Sequence, residues 1–439
     1  MKKTIFITSF HILISRNILA TGILPLLAKR NGVQVVILCP KKKEGFFRKE
    51  FEKAGVLVEP VSVRLNWRDF CLRFLSLASL RTKTLWLKRR TEMKGVGAVF
   101  SELIPAFLAS WLTRRLSPFL TPQNRFQPLL EKYQPELIFA TDVQNEYDVS
   151  LMHEARKRGV KIVGMVRSWD NLAAKGLLRI IPALLLANNE LVKREAMALH
   201  GVPAEKIQVV GLPHYDNYFQ APKLSRLELA EKLGLNAAKK FVLFVPVGDR
   251  YLTDNFVDKN ALTLLDKILP GDWEISVRLP PADSVKEIEG GNFSERVKIY
   301  RPGGYFGNVK NTELSRIDDE ILIASIKYSD LIVAGPSTMV IDAAIADKPI
   351  ILVGFDGKEN ASYFQSVRRY YDYNHFQPIL ESGGVPLARS EEEFEKLVRA
   401  YLADQTLDWA GRRRIVELEC QFTDGQSSQR VVEELEKFL

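Results

Sequence analysis

The segment 329–355 contains the residues of this chain that are best suited to bind an anion. It begins with an apolar run typical of a buried parallel strand, which Gly335 ends. Ser337 and Thr338 follow at the start of a predicted helix over residues 339–346, and either hydroxyl can cap that helix. Backbone N–H groups at such a helix start favour a phosphate or diphosphate. A plain strand–turn–helix connection without a ligand is the alternative for this segment.

Three charged side chains are candidates for the same phosphate site. Asp342 lies four residues after Thr338 on one helical face, where it either reaches a ribose or sugar hydroxyl or is a solvated surface residue. Arg278 ends a predicted strand and Arg250 follows another, so each can neutralise a diphosphate. The sequence has no Asp-x-Asp metal motif, and we therefore expect metal-independent chemistry.

His11, Asp142 and Asp148 are the candidate catalytic bases. His11 comes just after the first predicted strand, where an imidazole can take a proton from a hydroxyl near neutral pH. The alternative for His11 is a hydrogen bond to the backbone of its own loop. Asp142 and Asp148 follow the strand that ends at Ala140, and they are the alternative bases or ligands of an acceptor hydroxyl.

Polar side chains are also dense in the segment 166–176, directly after a predicted strand. They are Arg167, Ser168, Asp170, Asn171 and Lys175. Loops at strand ends often carry function, so we expect these residues to line a binding site. His214, in the segment 211–218, either hydrogen-bonds a phosphate oxygen or fixes the chain between two domains.

Apolar strands alternate with amphipathic helices twice along the chain, which predicts an α/β fold of two Rossmann-like domains facing a cleft. The first domain begins with strands over 4–9, 33–39 and 56–61 and with helices over 15–30 and 46–54. The predicted parts are an N-terminal acceptor-side domain over 1–216 with a helical insertion over about 67–133, a linker over 217–238, a C-terminal nucleotide-donor domain over 239–424, and a last helix over 425–439 that crosses back to the first domain. Ser427 or Ser428 is expected to cap that last helix.

The predicted insertion contains much of the positive charge of the chain, whose net charge is +9. Leucines and aromatic residues separate its basic residues, and a stretch over 95–112 is largely apolar, as in a buried or interfacial segment. The eleven basic residues between positions 64 and 115 are Arg64, Arg68, Arg73, Arg81, Lys83, Lys88, Arg89, Arg90, Lys94, Arg114 and Arg115. This pattern favours either an anionic membrane surface or a helical pair with a solvated basic face. No nucleic-acid-binding module accompanies it, which argues against nucleic acid.

Length and composition agree with a two-domain globular protein. The chain has 439 residues, of which 46% are apolar and 26% are charged. Its three cysteines are widely spaced, so the sequence supports neither a disulfide framework nor a zinc site and fits a reducing cytoplasm. Polar Thr8, Ser9 and His11 interrupt the first apolar run, which favours a strand over a signal peptide. We expect a cytoplasmic protein, peripheral on the inner face of the membrane if the insertion binds it.

Parts of this sequence resemble transferases of the GT-B architecture. The turn at Gly335 with Ser337, Thr338 and an acidic residue is similar to that of GT-B glycosyltransferases, sugar-nucleotide 2-epimerases and CDP-glycerol glycerophosphotransferases. Many members have Glu where this chain has Asp342. The stretches at 166–176, 211–216 and 422–431 resemble surface-glycan transferase-like proteins, the interdomain boundary of the superfamily, and the ending of the glycerophosphotransferases, respectively.

The resemblance implies a glycosyltransferase of cell-envelope or surface glycan synthesis. It would use a nucleotide-sugar as substrate without a cofactor and would act on a glycan or lipid-linked acceptor. Inverting members often have a base histidine in the first strand–helix loop, which corresponds to His11. A CDP-alditol glycerophosphotransferase and a non-catalytic glycan- or membrane-binding protein are the alternatives. The chain departs from the family pattern after Arg278, where Pro280 takes the place of the histidine in Arg-x-His-Pro.

Overall fold

The computed structural model describes residues 2–439 apart from residues 63, 93–100, 251, 253–254, 308–310 and 358–360. The chain forms two compact units, the first made of Met1–Phe219 with Gln421–Leu439 and the second of Gln220–Cys420. Lys94 and residues 95–100 of the apolar stretch predicted in the insertion lie outside the described residues.

The described part of the first unit contains a seven-stranded parallel sheet. In spatial order its strands are Val56–Val61, Val33–Pro40, Lys3–Thr8, Leu137–Ala140, Lys161–Met165, Leu184–Ala187 and Ile207–Val209. The chain order reverses between Lys3–Thr8 and Leu137–Ala140, which pair directly. In a doubly wound sheet, ligands bind at the carboxyl ends of the strands beside such a switch point.

Helices flank this sheet and form the predicted insertion. They are Ile12–Ile14, Ile23–Ala28, Glu44–Phe51, Trp67–Ala78, Lys83–Thr91, Ala106–Leu120, Gln127–Tyr133, Glu146–Lys157, Asn171–Ala174, Glu190–His200 and Ser427–Glu436. The single helix expected over 15–30 is wrong, because a π-helical turn at Ser15–Leu19 and a break precede Ile23–Ala28. A continuous helix would drive the ring of Pro25 into the carbonyl of Thr21.

The second unit repeats the same strand order in a six-stranded parallel sheet of the described residues. Its strands are, in spatial order, Val297–Tyr300, Trp273–Arg278, Lys240–Val245, Leu331–Ala334, Ile350–Val353 and Leu387–Ala388. Its helices are Arg226–Leu233, Phe256–Ile268, Lys286–Glu289, Arg316–Tyr328, Met339–Ile345, Arg368–Tyr371, Gln377–Glu381, Glu391–Ala403 and Trp409–Glu419, and a short hairpin pairs Gly304–Tyr305 with Thr312–Glu313. The switch point lies between Lys240–Val245 and Leu331–Ala334. The predicted α/β class with two Rossmann-like units is confirmed.

The strands are buried on both faces, as their uninterrupted apolar runs require. In the first unit, Phe6, Val36 and Ile138 from neighbouring strands belong to one buried cluster with side chains of the helix Glu146–Lys157. Within the described residues, no helix is both long enough and apolar enough to cross a bilayer.

The last helix, Ser427–Glu436, belongs to the first unit. The expected capping by Ser427 or Ser428 is wrong, because neither side chain caps this helix. Instead the carboxylate of Asp216 accepts hydrogen bonds from the backbone N–H of Ser427 at 2.9 Å and of Ser428 at 2.7 Å. Gly211 has φ +82°, and a Cβ there would lie 2.4 Å from Ser427 Oγ. The stretch at 211–216 therefore caps the last helix and packs against its start.

Candidate functional site

The switch point of the first sheet places two predicted residues at neighbouring strand ends. His11 comes three residues after Lys3–Thr8, and Asp142 two residues after Leu137–Ala140. His11 caps the short helix Ile12–Ile14, since its Nδ1 accepts a hydrogen bond from the N–H of Leu13 at 3.2 Å. The backbone alternative for His11 is thus realised, and the catalytic role stays a prediction.

Asp142 lies in a buried ion pair with Arg167 of the next strand end. The amide of Asn171 lies 3.5 Å from Asp142 Oδ1, and Asn171 Oδ1 accepts from Arg167 at 3.3 Å. Burial raises the pKa of Asp142, while the guanidinium of Arg167 opposes that rise. We expect the aspartate to be ionised, because Arg167 donates directly to it. The structure therefore joins one candidate base to two residues of the 166–176 loop.

Asp148 stands beside this pair, on the helix Glu146–Lys157. Thr8 donates its hydroxyl proton to Asp148 and accepts from the backbone N–H of Thr141 at 3.0 Å, so it links the two strands of the switch point. Burial raises the pKa of Asp148 well above its ordinary value, and the charge of Asp142 raises it further. Because this side chain is 1% exposed, protonation of Asp148 relieves both penalties.

The other predicted residues of the 166–176 loop occupy its turn. The carbonyl of Ser168 accepts from the N–H of Asn171 at 3.1 Å, while Asp170 and Lys175 flank the helical turn Asn171–Ala174. His200, a residue that the sequence analysis did not identify, stabilises this loop through hydrogen bonds to its backbone and to that of the residues that follow it.

The imidazole of His200 joins the middle of this loop to the residues that follow it. Its Nδ1 accepts from the N–H of Leu178 at 3.1 Å, and its Nε2 lies 3.1 Å from the carbonyl of Leu172. Burial lowers the pKa of His200 to about 4, so the ring is neutral at physiological pH. Only its position at the end of an amphipathic helix was visible in the sequence.

His214 belongs to the first unit, whereas the other predicted phosphate ligands belong to the second. Its ring is 1% exposed and packs edge-on against the ring of Tyr218 at 5.5 Å. Burial and the charge of Arg16 hold the pKa of His214 well below its ordinary value. These surroundings favour the structural role of His214 over phosphate binding.

In the second unit, Gly335, Ser337 and Thr338 lie at the switch point, as the strand pattern predicts. A Cβ at Gly335 would lie 2.4 Å from Cγ2 of Val247, so only glycine lets these two strand ends approach so closely. Ser337 Oγ accepts from the N–H of Met339 at 3.2 Å. Thr338 stands at the N-cap of Met339–Ile345 without a side-chain capping bond. The expectation of capping is met by Ser337 alone.

Asp342 is 3% exposed within that helix. The alternative of a solvated surface residue is therefore wrong. Arg278 is also buried, and its guanidinium lies 5.6 Å from the ring centroid of Tyr300 on the adjacent strand. Arg250 is exposed, and its backbone N–H donates to Asp283 at 3.0 Å.

The loop after Lys240–Val245 is shaped by Asp258, which sequence reasoning also missed. Its two carboxylate oxygens accept from the N–H groups of Val247 at 2.7 Å and Gly248 at 3.0 Å. Burial raises the pKa of Asp258 to about 6. The signal was an acidic residue in the first turn of the helix Phe256–Ile268.

A second group of missed residues surrounds the end of the strand Ile350–Val353. The hydroxyl of Tyr371 donates to the carbonyl of Val353 at 2.6 Å. Arg369, 1% exposed, donates to the hydroxyl of Tyr370 at 2.8 Å. The helical turn that holds these residues is too short to give a periodic signal in the sequence.

The C-terminal third of the chain matches a known protein family. Residues 293–437 match the model of the CDP-Glycerol:Poly(glycerophosphate) glycerophosphotransferases, a range that includes the turn at Gly335 and the last helix. The predicted resemblance is confirmed. A curated relative, the teichoic acid glycerol-phosphate primase of Bacillus spizizenii, is 23% identical over 173 residues, which are 39% of this chain and 40% of the relative. The predicted transferase class agrees with both findings.

Solved structures show the same fold over nearly the whole chain. The UDP complex of MnaA from S. aureus has a TM-score of 0.57 at 12% identity and covers 99% of this chain and 96% of its own. The wall teichoic acid polymerase TagF gives 0.56 at 12% identity, with coverage of 99% and 89%. UDP-GlcNAc 2-epimerase from Neisseria meningitidis, bound to UDP-GlcNAc, gives 0.55 at 13% identity, with coverage of 99% and 100%. These similarities establish the GT-B fold.

Proposed function

We propose that this protein is a transferase of cell-wall glycan synthesis that moves glycerol phosphate, or a related alditol phosphate, from a CDP-linked donor to a glycan or lipid-linked acceptor. The match of residues 293–437 to the glycerophosphotransferase model carries the proposal. A cytoplasmic location, which the widely spaced cysteines favour, is part of it.

In this proposal the donor binds the second unit. Ser337 and Thr338 lie beside its diphosphate, and Arg278 and Arg250 supply positive charge. The acceptor oxygen forms a bond to the phosphorus of the glycerol phosphate, and the bond from that phosphorus to CMP breaks. The hydroxyl proton passes to a base of the first unit, for which we propose His11. This proposal requires no metal ion, because backbone N–H groups and arginine side chains stabilise the leaving phosphate.

One observation favours a nucleotide-sugar donor instead. The residues after Arg278 are Leu279, Pro280 and Pro281, so the histidine of the Arg-x-His-Pro pattern is absent. A glycosyltransferase of the same fold does not need a second imidazole at this point if its acceptor-side base acts alone. Transfer of a sugar from UDP or GDP is therefore the second candidate.

A donor panel separates the two candidates. CDP-glycerol, CDP-ribitol, UDP-GlcNAc and a GDP-sugar are tested for binding by calorimetry and for slow hydrolysis by chromatography of the released nucleotide. We expect binding of the CDP-alditols and release of CMP. Binding and release of UDP or GDP alone would establish the second candidate. Absence of binding by any of the four would instead indicate a non-catalytic protein that keeps the fold.

The substitution Thr338→Glu locates the donor within this experiment. A carboxylate at the start of Met339–Ile345 repels a diphosphate, so we expect the affinity to fall at least about tenfold. Thr338→Val is the matched control, because it keeps the size of the side chain, loses no capping bond and adds no charge, so we expect it to bind the donor more tightly than Thr338→Glu. Equal affinity of the folded Thr338→Glu and Thr338→Val variants would place the donor elsewhere.

A further inference from the structure

The chain makes a π-helical turn, Ser15–Leu19, shortly after His11. The N–H of Ala20 donates to the carbonyl of Ser15 at 2.8 Å, which is a hydrogen bond over five residues instead of the four of an α-helix. The extra residue changes which side chains share a face, and turns of this kind are frequent at functional sites. Arg16, the charged residue of this turn, has no role in the proposed function.

The guanidinium of Arg16 is oriented by the next residue, Asn17. Arg16 Nε donates to Asn17 Oδ1 at 2.9 Å. Asn17 is buried, so its amide is held by the packing around it, whereas Arg16 is only partly buried. A guanidinium that is bound through Nε keeps its two Nη groups, which form a planar fork, for a second partner.

Arg16 has no second partner among the residues that the structure describes. Within that part of the chain, its two Nη groups make no hydrogen bond and no ion pair. Two other arginines of the first unit differ in this respect, since Arg167 pairs with Asp142 and Arg179 pairs with Glu146. A partly buried guanidinium without a carboxylate partner is suited to bind an anion from solution.

The 3-10 helix Pro213–Phe219 packs against the π-helical turn and leaves the charge of Arg16 uncompensated. Its acidic residue, Asp216, accepts two N–H groups of the last helix. Its histidine, His214, is neutral, because burial and the charge of Arg16 hold the pKa of this residue well below its ordinary value. A neutral ring neither repels an anion nor binds it as a cation would.

Two buried polar atoms lie at the same edge of the first sheet. Ser9 Oγ, directly after the strand Lys3–Thr8, and Asp148 Oδ2, on the side chain that Thr8 contacts, have no hydrogen-bond partner among the described residues. Both side chains are almost fully buried. Buried polar atoms of this kind normally bond to an ordered water or to a ligand. This strand end therefore combines hydrogen-bonding groups with the positive charge of Arg16, as a site for a polar anion requires.

We propose that Arg16 binds a phosphate group of the acceptor and so selects a phosphate ester over a neutral glycan. This inference rests on the proposed function, in which the diphosphate of the donor binds the second unit. Because Arg16 belongs to the first unit, a phosphate bound there comes from the acceptor. The fork of arginine bonds two oxygens of one phosphate. His11, the proposed base, begins the same helical segment, so the acceptor that fits is a phosphate ester with a free hydroxyl near its phosphorus.

Calorimetry on the whole protein tests this proposal with glycerol 3-phosphate as the probe and glycerol as its uncharged counterpart. The nucleotide that the donor panel identifies is present at saturation, which keeps the probe out of the donor site. The wild type should bind glycerol 3-phosphate and not glycerol. Arg16→Gln should weaken the binding of glycerol 3-phosphate at least about tenfold, and Arg16→Lys, which keeps the charge but not the fork, should weaken it less. Asn17→Asp keeps the shape of the side chain but neutralises Arg16 with a carboxylate, so it should weaken the binding as much as Arg16→Gln.

Arg30→Gln is the matched control, because Arg30 is an exposed arginine of the same unit that pairs with Glu436. Arg30 precedes the strand Val33–Pro40, so it lies at the edge of the sheet where the strands begin, opposite Arg16. This variant should bind glycerol 3-phosphate normally, and circular dichroism verifies that all variants are folded.

The proposal is overturned if the wild type does not prefer glycerol 3-phosphate to glycerol, or if a folded Arg16→Gln or Asn17→Asp variant binds the probe normally. It is also overturned if Arg16→Gln weakens the binding of the nucleotide as much as that of the probe, since Arg16 would then hold a phosphate of the donor. Failure of the proposed function is distinguishable from both results. In that case no nucleotide of the donor panel binds, whereas the binding of glycerol 3-phosphate still depends on Arg16.

Discussion

At the scale of the residue, the imidazole of His11 has two possible roles that the structure makes distinguishable. A neutral histidine that accepts a hydrogen bond at Nδ1 carries its proton on Nε2. His11 accepts from Leu13 in this way, so its outer nitrogen is a donor in the structure described here. To act as a base at Nε2, the ring must first give up this capping bond. Capping and proton transfer therefore make different demands on the side chain.

Two substitutions at His11 separate these roles. Asparagine is a good N-cap residue but a poor base, whereas alanine is neither. If His11 takes the proton from the hydroxyl of the acceptor substrate, both His11→Asn and His11→Ala should lower kcat on the order of a hundredfold. Neither substitution should change the affinity for the donor substrate. Steady-state kinetics with the donor identified by the panel measures this. Recovery of activity in His11→Asn alone would assign His11 a structural role.

The aspartates are the next candidates in that case. Asp142 is held in the ion pair with Arg167, and the raised pKa of Asp148 favours its protonated form, so neither carboxylate is ready to accept a proton. Asp142→Asn keeps an acceptor for Arg167 but removes the charge. Asp148→Asn keeps an acceptor for the hydroxyl of Thr8. We regard both aspartates as groups that position the strand ends of the switch point.

At the scale of the element, the 166–176 loop depends on the protonation state of His200. The loop needs a neutral ring, because Nδ1 must accept the N–H of Leu178. The pKa of His200 is lowered to about 4 from an ordinary 6.5, so between these values the unfolded chain binds a proton that the folded chain does not. Stability contributed by the neutral ring is therefore lost as the pH falls from 6.5 towards 4.

Asparagine at position 200 removes this titration but keeps an acceptor. We expect the wild type to lose about 1–2 kcal/mol of its free energy of unfolding, relative to His200→Asn, as the pH falls from about 7.5 to about 5. The reason is that a difference in pKa between the folded and unfolded chain contributes up to about 1.4 kcal/mol per pH unit. Urea unfolding at the two pH values measures the narrowing. A difference that does not depend on pH would show that His200 titrates normally.

At the scale of the whole molecule, the end of the chain completes the first unit through Asp216. This carboxylate is buried and accepts two N–H groups of the last helix, more than 200 residues away in sequence. An acidic group at a helix start also interacts favourably with the helix dipole. The stability of the first unit should therefore depend on a residue that precedes the second unit.

Asp216→Ala should lower the stability of the first unit by about 1–2 kcal/mol, because it removes a buried cap. Scanning calorimetry should show a lower melting temperature for the first unit and an unchanged melting temperature for the second unit. Asp424→Ala is the matched control, since Asp424 makes an ion pair with Arg430 at the same helix start but on the surface. Similar shifts for both variants would contradict a special role of the buried cap.

The sequence by itself determined most strands of both sheets and the turn at Gly335, but not the short edge strand Leu387–Ala388. Uninterrupted apolar runs that end at glycine or proline have few conformations open to them other than a buried parallel strand, and the two alternations specify the doubly wound order. Local signals also placed Ser337 at the start of its helix. Gly22 and Pro25 are local signals for the break before Ile23–Ala28, which the single helix predicted over 15–30 did not include. The candidate residues at strand ends followed from the same pattern, because parallel strands place their carboxyl ends along one edge.

Only the tertiary structure decided which side chains meet and which face of a helix is buried. Three contacts join residues that are distant in sequence, and no local pattern encodes them. They are the ion pair of Asp142 with Arg167, the hydrogen bonds of His200 to the 166–176 loop and its following residues, and the cap of the last helix by Asp216. The helix Ala106–Leu120 shows the reason most clearly. Periodicity predicts that Phe107, Trp111 and Phe119 share a face, but the polar partners of Thr113 and Ser117 turn that face outward. Burial is a property of the packed unit, so the sequence identifies a helical face while its neighbours determine whether it is buried.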